Sequence, residues 1–181
     1  MRQKFNKILK ICLIMGMLHT IHFAEDKLYM LPYEQKVAFN ALKNALQGAK
    51  SEIKISIYSF TYNDIAKILR DSAKRGVKVH IIYDKEANMN NKTSTIGYLA
   101  KYNNISVCLL SGIRAANKQY YGIMHQKMAI IDRQVLIIGS ANWSKNAFEN
   151  NFETLFISTN QSFVKKALQS YEKMMNACVG F

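Results

Sequence analysis

The sequence predicts an α/β domain in which a mixed β-sheet carries helices on both faces. Segments with apolar residues at helical spacing alternate along the chain with short runs rich in Val and Ile, which is typical of strands covered by helices. Two such runs, at residues 128–131 and 135–138, are separated by three residues and predict an antiparallel hairpin, so the sheet cannot be wholly parallel. The length of 181 residues and the hydrophobic content of 49% suit one domain with a real core and exclude general disorder.

The individual elements follow from periodicity and from start and stop signals. A first helix is expected over residues 33–47, before Gly48, and a second over residues 65–75, with Asn63 or Asp64 as N-cap and Gly76 as terminator. Further strands are expected at 53–60, 77–83, 105–110 and 154–158, short helices at 95–102 and 144–150, loops at 85–93 and 111–122, and a closing amphipathic helix at 161–176.

The first 24 residues have the composition of an export signal. Four basic residues precede the uncharged run ICLIMGMLHTIHFA at residues 11–24, which ends in a small residue. We therefore expect a signal or hydrophobic segment at residues 1–24 and a single domain at residues 25–181, exported to the periplasm or secreted. The run is shorter than the ~20 residues that span a bilayer; left uncleaved, it would support membrane association through residues 11–24. The alternative is a buried core helix.

The chain carries a large excess of basic residues. Lys and Arg number 25 against 12 Asp and Glu, for a formal net charge of +13, and without residues 1–24 the balance of 21 basic to 12 acidic residues still gives +9. This excess favours a polyanionic partner, either nucleic acid or an anionic membrane surface, although a solvated basic surface is the ordinary alternative.

Two cysteines, Cys108 and Cys178, lie beyond residue 24. They could pair in an oxidising compartment, but two cysteines do not define a disulfide framework, and we expect buried thiols. No cluster of cysteine, histidine or carboxylate residues has metal-ligand spacing, so no metal and no other cofactor is expected.

The most informative stretch is HQKMAIIDRQVLIIGSANWSKNAFENNFE, residues 125–153. Polar residues bracket its two apolar runs, and on a strand His125 and Lys127 project from the same face. Lys127, Ser140 and Asn142 are hydrogen-bond donors, which suits the oxygens of a phosphate. Glu153 has the wrong charge for phosphate, but it can accept from one ring nitrogen of His125 and leave the other as a nucleophile.

Structural roles are expected for two further polar residues. Asp132 lies at the hairpin turn, more than two strand residues from Lys127, and its position indicates a structural cap rather than a reactive group. His80 is the only other histidine beyond residue 24, and its place inside the run VKVHIIY favours a buried structural residue.

The joint spacing of these residues resembles the HKD signature of the phospholipase D superfamily, and within it the single-motif bacterial endonucleases. The match comprises His125, Lys127, Asp132, Gly139, Ser140 and Asn142, with Asn151 and Glu153 downstream. The segment FTYNDIAKILRDSAKRGVKVHIIYD, residues 60–84, also resembles the first strand–helix–strand unit of that family. The resemblance therefore implies a phospholipase D-like fold over most of the chain from about Tyr33 onward.

The resemblance also implies a mechanism without metal. His125 would attack phosphorus, Lys127 and Asn142 would hold the phosphate oxygens, and Ser140 and Glu153 would support the phosphate and orient the imidazole. As the last letter of the signature, Asp132 is counted with the catalytic group by resemblance alone. Because one imidazole cannot be both nucleophile and in-line acid, the single motif implies a homodimer with a shared active site.

Three functions are compatible with the sequence. A secreted nuclease without sequence preference is the first, since the basic charge favours nucleic acid and the loop with Arg114, Lys118, Tyr120 and Tyr121 could contact backbone and bases. A phospholipase D or cardiolipin hydrolase is the second, although no apolar rim for acyl chains is expected outside the N-terminal segment. A DNA-binding or uptake protein without catalysis is the third.

Overall fold

A mixed eight-stranded sheet forms the centre of the computed structural model, which describes residues 26–117 and 119–181. Its strand order is β1-β7-β6-β5-β2-β3-β4-β8. Strands β2, β3 and β4 are parallel, and every other neighbouring pair is antiparallel. The strands are β1 (Asp26–Leu31), β2 (Glu52–Ile57), β3 (Lys78–Asp84), β4 (Ile105–Leu110), β5 (Lys127–Ile131), β6 (Val135–Gly139), β7 (Glu153–Ser158) and β8 (Val179–Gly180). The predicted mixed sheet is confirmed, and it is open rather than closed.

Helices cover both faces of this sheet, as the sequence predicts. They are α1 (Gln35–Gly48), α2 (Asn63–Lys74), α3 (Lys85–Met89), α4 (Ile96–Leu99), α5 (Lys145–Glu149) and α6 (Gln161–Asn176). The larger core lies between the sheet and α1 and α2, where Leu42 and Leu69 meet Ile55. The smaller core lies under α6, where Val164 and Tyr171 pack over the other face. Two separate apolar layers are what a sheet needs when both of its faces are covered.

The strand termini and helix caps differ from prediction in small ways. Helix α2 begins at Asn63, so Asn63 and Asp64 lie in its first turn rather than at its N-cap, and Asp64 there complements the helix dipole. Gly76 has φ +96°, which only glycine adopts easily, and confirms the predicted stop. A loop was expected at residues 85–93, but α3 forms there because the Asp84 carboxylate accepts from the Ala87 amide at 2.9 Å.

Both edge strands were missed. Strand β1 precedes the first predicted element, and β8 has two residues, too few for a pattern to reveal. The proposed signal at residues 1–24 and the side chain of Lys118 lie outside the described residues. Within the described part of the chain, no helix has the length and apolar character needed to cross a membrane.

The expectation of free thiols is wrong. Cys108 on β4 and Cys178, just after α6, form a disulfide with a Cα–Cα separation of 5.8 Å. The two residues are 70 positions apart, and α6 brings them together by running back across the sheet toward β4. Spacing alone cannot reveal such a pair, because it depends on where the last helix ends.

Candidate active site

The sheet brings the ends of several strands together at one edge of the fold. Lys127, at the start of β5, pairs with Ile57 at the end of β2. Glu153 begins β7 and pairs with Leu31, the last residue of β1. Gly139 ends β6 beside Leu155 on β7. The side chains predicted from the motif, apart from Asp132, therefore belong to neighbouring strand ends and the loops that leave them.

His125 lies in the loop before β5, with its side chain exposed. Its Nε2 atom is 3.0 Å from the Lys127 Nζ atom, which also donates to the His125 carbonyl at 2.9 Å. An ammonium can only donate, so in this contact Nε2 is the unprotonated ring nitrogen and Nδ1 carries the proton. The Tyr58 ring meets the imidazole edge-on, with centroids 4.6 Å apart. The imidazole is thus held between an aromatic ring and a cation, with its lone pair directed at that cation.

Lys127 is almost fully buried, with 7% of its surface exposed. Burial lowers the pKa of Lys127, because desolvation disfavours the charged form, and the nearby Glu153 carboxylate opposes this shift. The ammonium also lies 5.2 Å from the centroid of the Tyr58 ring, a cation–π distance. A poorly solvated cation beside an open site gains much from a bound anion.

Ser140 and Glu153 form a pair on the adjoining strands. The Ser140 hydroxyl donates to Glu153 and accepts from the Thr154 amide at 2.9 Å. Asn151 donates to the other Glu153 oxygen at 3.4 Å. The structure records no bond between Glu153 and the His125 ring of the same chain. Because the Ser140 hydroxyl already donates its hydrogen bond to Glu153, it can donate to a phosphate only after that hydrogen bond breaks.

Gly139 makes the close approach of β6 and β7 possible at this point. A Cβ atom on Gly139 would lie 2.1 Å from the Thr154 carbonyl oxygen, which is backbone and cannot move aside. The glycine of the motif is therefore explained by packing next to Ser140 rather than by an unusual φ.

Asn142 occupies the loop after β6, between the buried residues Ala141 and Trp143. The Trp143 amide donates to Ser59 at 3.1 Å, which ties this loop to the end of β2. Among the described residues, Asn142 Oδ1 is the one buried side-chain nitrogen or oxygen without a hydrogen-bond partner. Such an atom costs ~1–3 kcal/mol unless a donor from water or from another group completes it.

Asp132 is not part of this group of residues. It lies at the far end of β5, about 17 Å along the strand from Lys127 at ~3.3 Å per residue. Its carboxylate accepts from the amides of Lys50, Ser51 and Glu52 and from the Ser51 hydroxyl, at 2.8–3.0 Å. Burial alone would raise the pKa of Asp132, but these hydrogen bonds outweigh it and lower the pKa. The geometry agrees with a structural cap, and a direct catalytic role for Asp132 does not fit it.

His80 also lies away from the active site. It is on β3 opposite Lys54 and Ser106, near the strand starts, and its Nδ1 atom is 2.6 Å from the Ser106 hydroxyl. Burial lowers the pKa of His80, and the neighbouring Lys54 acts in the same direction. The predicted structural role is compatible with this position, and His80 cannot serve as the second imidazole of the site.

A cavity of about 1410 Å³ opens from His125 and extends across the ends of β3 and β4. Its walls are α3, the loop that follows β4, and the end of the chain after α6. Three cations, Lys85, Arg114 and Lys173, line it against one acid, Glu86. Exposed apolar side chains also contribute, namely Met89, Ile113, Tyr121, Ile123 and Val179. The expectation that no apolar rim exists outside the N-terminus is therefore wrong.

Several of these residues were not found from sequence. Tyr58 lies in an ordinary strand-like run, and only the tertiary structure, through its ring contact and the bond from its amide to the Gln126 carbonyl at 2.9 Å, shows that it adjoins His125. Lys85 and Lys173 are separated by nearly half of the chain and share no motif. No group of three or more possible metal ligands occurs in the described residues.

A family model described as "Cardiolipin synthase, PLD-like domain" matches residues 42–175. Mouse mitochondrial cardiolipin hydrolase is 31% identical over 144 residues, 80% of this chain and 60% of that protein. The chain thus spans about 60% of the length of this curated relative.

Solved structures give a second comparison. NucT from Helicobacter pylori is 53% identical, with a TM-score of 0.86 over 88% of this chain and 100% of that one. Nuc, a phospholipase D family member from Salmonella typhimurium, is 24% identical with a TM-score of 0.69, covering 88% of this chain and 99% of the other. The second likeness shows the fold alone.

Proposed function

The chain belongs to the phospholipase D-like family and is a phosphodiesterase, and from this premise we propose that it is an exported endonuclease that cleaves nucleic acid without sequence preference or metal. The observation that carries the proposal is the placement of His125 Nε2 3.0 Å from the buried Lys127 ammonium, at the mouth of a cavity rich in cations. The 53% identity to NucT, against 31% to the mouse cardiolipin hydrolase, supports the bacterial single-motif group over the lipid hydrolases.

In the proposed first step, a phosphate of the substrate binds with its oxygens on the Lys127 ammonium and the Asn142 amide. When the phosphate accepts from Lys127 in place of the imidazole, the Nε2 lone pair of His125 is released from its contact with that ammonium and attacks phosphorus. An N–P bond forms, the P–O bond to one nucleotide breaks, and the leaving oxygen takes a proton. In the second step water attacks the phosphohistidine and gives a proton to the group that protonated the leaving oxygen, while the N–P bond breaks and a phosphate monoester is released.

The proton for the leaving oxygen must come from a second group on the opposite side of phosphorus. His80 is remote, and no other histidine occurs among the described residues. We therefore infer that a second copy of the chain supplies its own His125, in a two-fold homodimer with a shared site.

An exposed apolar patch beside the site suits this second copy. Tyr33 and Phe152 are 82% and 78% exposed, and their rings lie 5.9 Å apart. They flank the Leu31–Glu153 pair, and Met30 on the same edge is also exposed. Exposed aromatic side chains of this kind are enriched in interfaces.

Sedimentation of a Phe152→Asp variant tests the dimer. The wild type should sediment as a dimer and the variant as a monomer with little cleavage activity. Phe163→Asp, which adds the same charge at an exposed aromatic position on α6, should stay dimeric and active. A monomer with full wild-type activity would refute the shared site.

Cleavage of DNA and RNA in the presence of EDTA tests the activity itself. Wild type should cleave both kinds of polymer or one of them, and His125→Ala should lose cleavage. Undiminished cleavage by His125→Ala would refute the assignment of the nucleophile. Tight DNA binding by the wild type without cleavage would favour the third function, a binding or uptake protein.

One observation favours phospholipid hydrolysis as a second candidate. Met89, Ile113, Ile123 and Val179 give the cavity the apolar rim that acyl chains need. Release of headgroup from labelled phospholipid vesicles, without cleavage of nucleic acid, would establish this alternative. Residues 11–24, if retained, would hold the enzyme near such a membrane; N-terminal sequencing of the exported protein decides whether they are removed.

A further inference from the structure

The cavity that opens from His125 has several walls. The wall farthest from His125 along the sheet is formed by the end of the chain. Ala177, Val179 and Gly180 line the cavity together with Lys173 of α6. Val179 is 70% exposed, so its side chain is offered to whatever occupies the cavity rather than packed into the core. We define residues 177–181 as the C-terminal wall.

Three links hold the C-terminal wall in place. The disulfide joins Cys178 to Cys108, whose side chain is buried in the core under α6. Val179 and Gly180 pair with Leu109 and Cys108 as strand β8. The last amide, of Phe181, donates to the Val107 carbonyl at 3.4 Å. Two paired residues at a sheet edge are too few to be stable alone, so the disulfide is the link that decides whether the wall stays closed.

Helix α6 does not depend on that link. Its Val164 and Tyr171 side chains are buried, and the Tyr171 hydroxyl donates to the His80 carbonyl at 3.0 Å. Loss of the disulfide should therefore free the C-terminal wall locally. His125 also lines the cavity, but it lies in the loop before β5 and belongs to a different part of the chain.

The chemistry of the cavity indicates what the wall contacts. At about 1410 Å³ the cavity exceeds the ~300–1,000 Å³ of small-molecule sites, so it suits a segment of polymer rather than one nucleotide. Cations on three walls (Lys85, Arg114 and Lys173) match the repeating phosphates of such a segment. Exposed Tyr121 and Val179 offer an aromatic and an apolar surface for bases.

We propose that the C-terminal wall, closed by the Cys108–Cys178 disulfide, is a substrate subsite that holds nucleotides beyond the scissile phosphate. This proposal rests on the proposed nuclease function. It adds the place where the substrate strand binds beyond the scissile phosphate and the disulfide that holds that surface in position. Cys178 is a positioning residue in this arrangement, and Lys173 and Val179 are the groups that meet the nucleic-acid strand.

The test compares a long and a minimal phosphodiester. Wild type, Cys178→Ala and Val179→Asp are assayed on a single-stranded 12-nucleotide DNA and on bis(p-nitrophenyl) phosphate, which is too small to reach the wall. KM for the oligonucleotide should rise about tenfold in both variants, because each loses the apolar contact that Val179 offers to a base. The rise should be much smaller on the minimal substrate. Asn103→Asp, an exposed site at the other end of β4, is the charge-matched control and should behave as wild type.

Reduction provides a second readout on the unaltered chain. Dithiothreitol should reproduce the rise in KM in wild type and leave Cys178→Ala unchanged. If Cys178→Ala folds poorly, Val179→Asp still tests the wall, because its side chain is exposed.

The outcomes are distinct. Unchanged oligonucleotide KM in both variants, or equal losses on both substrates, overturns the subsite. A selective loss on phospholipid vesicles instead of oligonucleotide overturns its assignment to nucleotides. If wild type hydrolyses bis(p-nitrophenyl) phosphate but no nucleic acid, the proposed function itself fails.

Discussion

Replacing Asp132 tests the separation between folding and chemistry within the motif. Asp132 Oδ1 accepts from the Ser51 amide, the Ser51 hydroxyl and the Glu52 amide, and Oδ2 accepts from the Lys50 amide. Asp132→Ala leaves three backbone N–H groups without this acceptor. At ~1 kcal/mol each, the low end of the cost of a group left without a partner because water reaches the site, and with about 1 kcal/mol for placing Ala at φ 50°, the loss is roughly 4 kcal/mol.

Asp132→Asn should cost far less. Asn tolerates positive φ and keeps an oxygen for three of the four contacts, so only the Lys50 bond is lost, at about 1 kcal/mol. The pKa of Asp132 is lowered in the folded protein, so its charge contributes stability above the unfolded-state pKa of about 3.9. That contribution disappears as the pH falls through the folded-state pKa of Asp132. The difference in the free energy of unfolding between Asp132→Asn and wild type should narrow there.

Urea unfolding at pH 7 and at a series of values falling from about pH 4 to about pH 2 measures these differences, with Asp64→Ala as the control. Asp64 forms an exposed ion pair with Lys67 and complements the dipole of α2, so its loss should cost about 1 kcal/mol. Activity per folded molecule should be retained in both Asp132 variants. A loss of cleavage beyond about tenfold in a variant that remains folded would show that Asp132 takes part in the chemistry and refute this interpretation.

Three other substitutions probe the site itself. Gly139→Ala should push β6 away from β7, destabilise the protein by about 1–3 kcal/mol and abolish most cleavage. The control is Gly48→Ala, where the added methyl group meets open space. In the same melting and activity assays it should behave as wild type. Lys127→Met should lower kcat roughly 100- to 1,000-fold. Because the pKa of Lys127 is lowered, the activity of the wild type should fall at a lower pH than the deprotonation of an ordinary lysine would cause. In a pH–rate profile, the residual activity of Lys127→Arg should not show this fall, because arginine keeps its charge. Tyr58→Ala should cost three- to tenfold in kcat through a less ordered imidazole, at about 0.5–1.5 kcal/mol for a ring pair, while Tyr58→Phe should retain near-wild-type kcat.

Much of the fold was readable from sequence because its strands and helices bury one-sided apolar patterns. In β2, Ile53, Ile55 and Ile57 face one core while Lys54 and Ser56 face the other side, and the alternation predicts that strand directly. Strand β1 lacked such a signal, because Leu28 and Met30 are exposed although apolar. Their exposure fits the open edge beside the proposed dimer patch.

The site was predictable as a set of residue types, but its geometry was not. Spacing indicates that His125 and Lys127 share a face, yet the contact of Nε2 with the buried ammonium is packed against Tyr58, which directly follows β2. The cavity walls come from segments far apart in sequence, and the disulfide depends on the length of α6. Such features follow from tertiary packing, which no local pattern encodes.

The central claim is that His125 becomes covalently bound to the phosphate of a nucleic acid. Wild-type enzyme mixed with a single-stranded oligonucleotide, quenched within one turnover at alkaline pH and digested, is analysed by mass spectrometry of the peptide that contains His125. A nucleotide-phosphate adduct on the His125 ring, absent in His125→Ala and lost on longer incubation, is the predicted result. Rapid cleavage with no adduct at His125, or an adduct on another residue, would contradict the account.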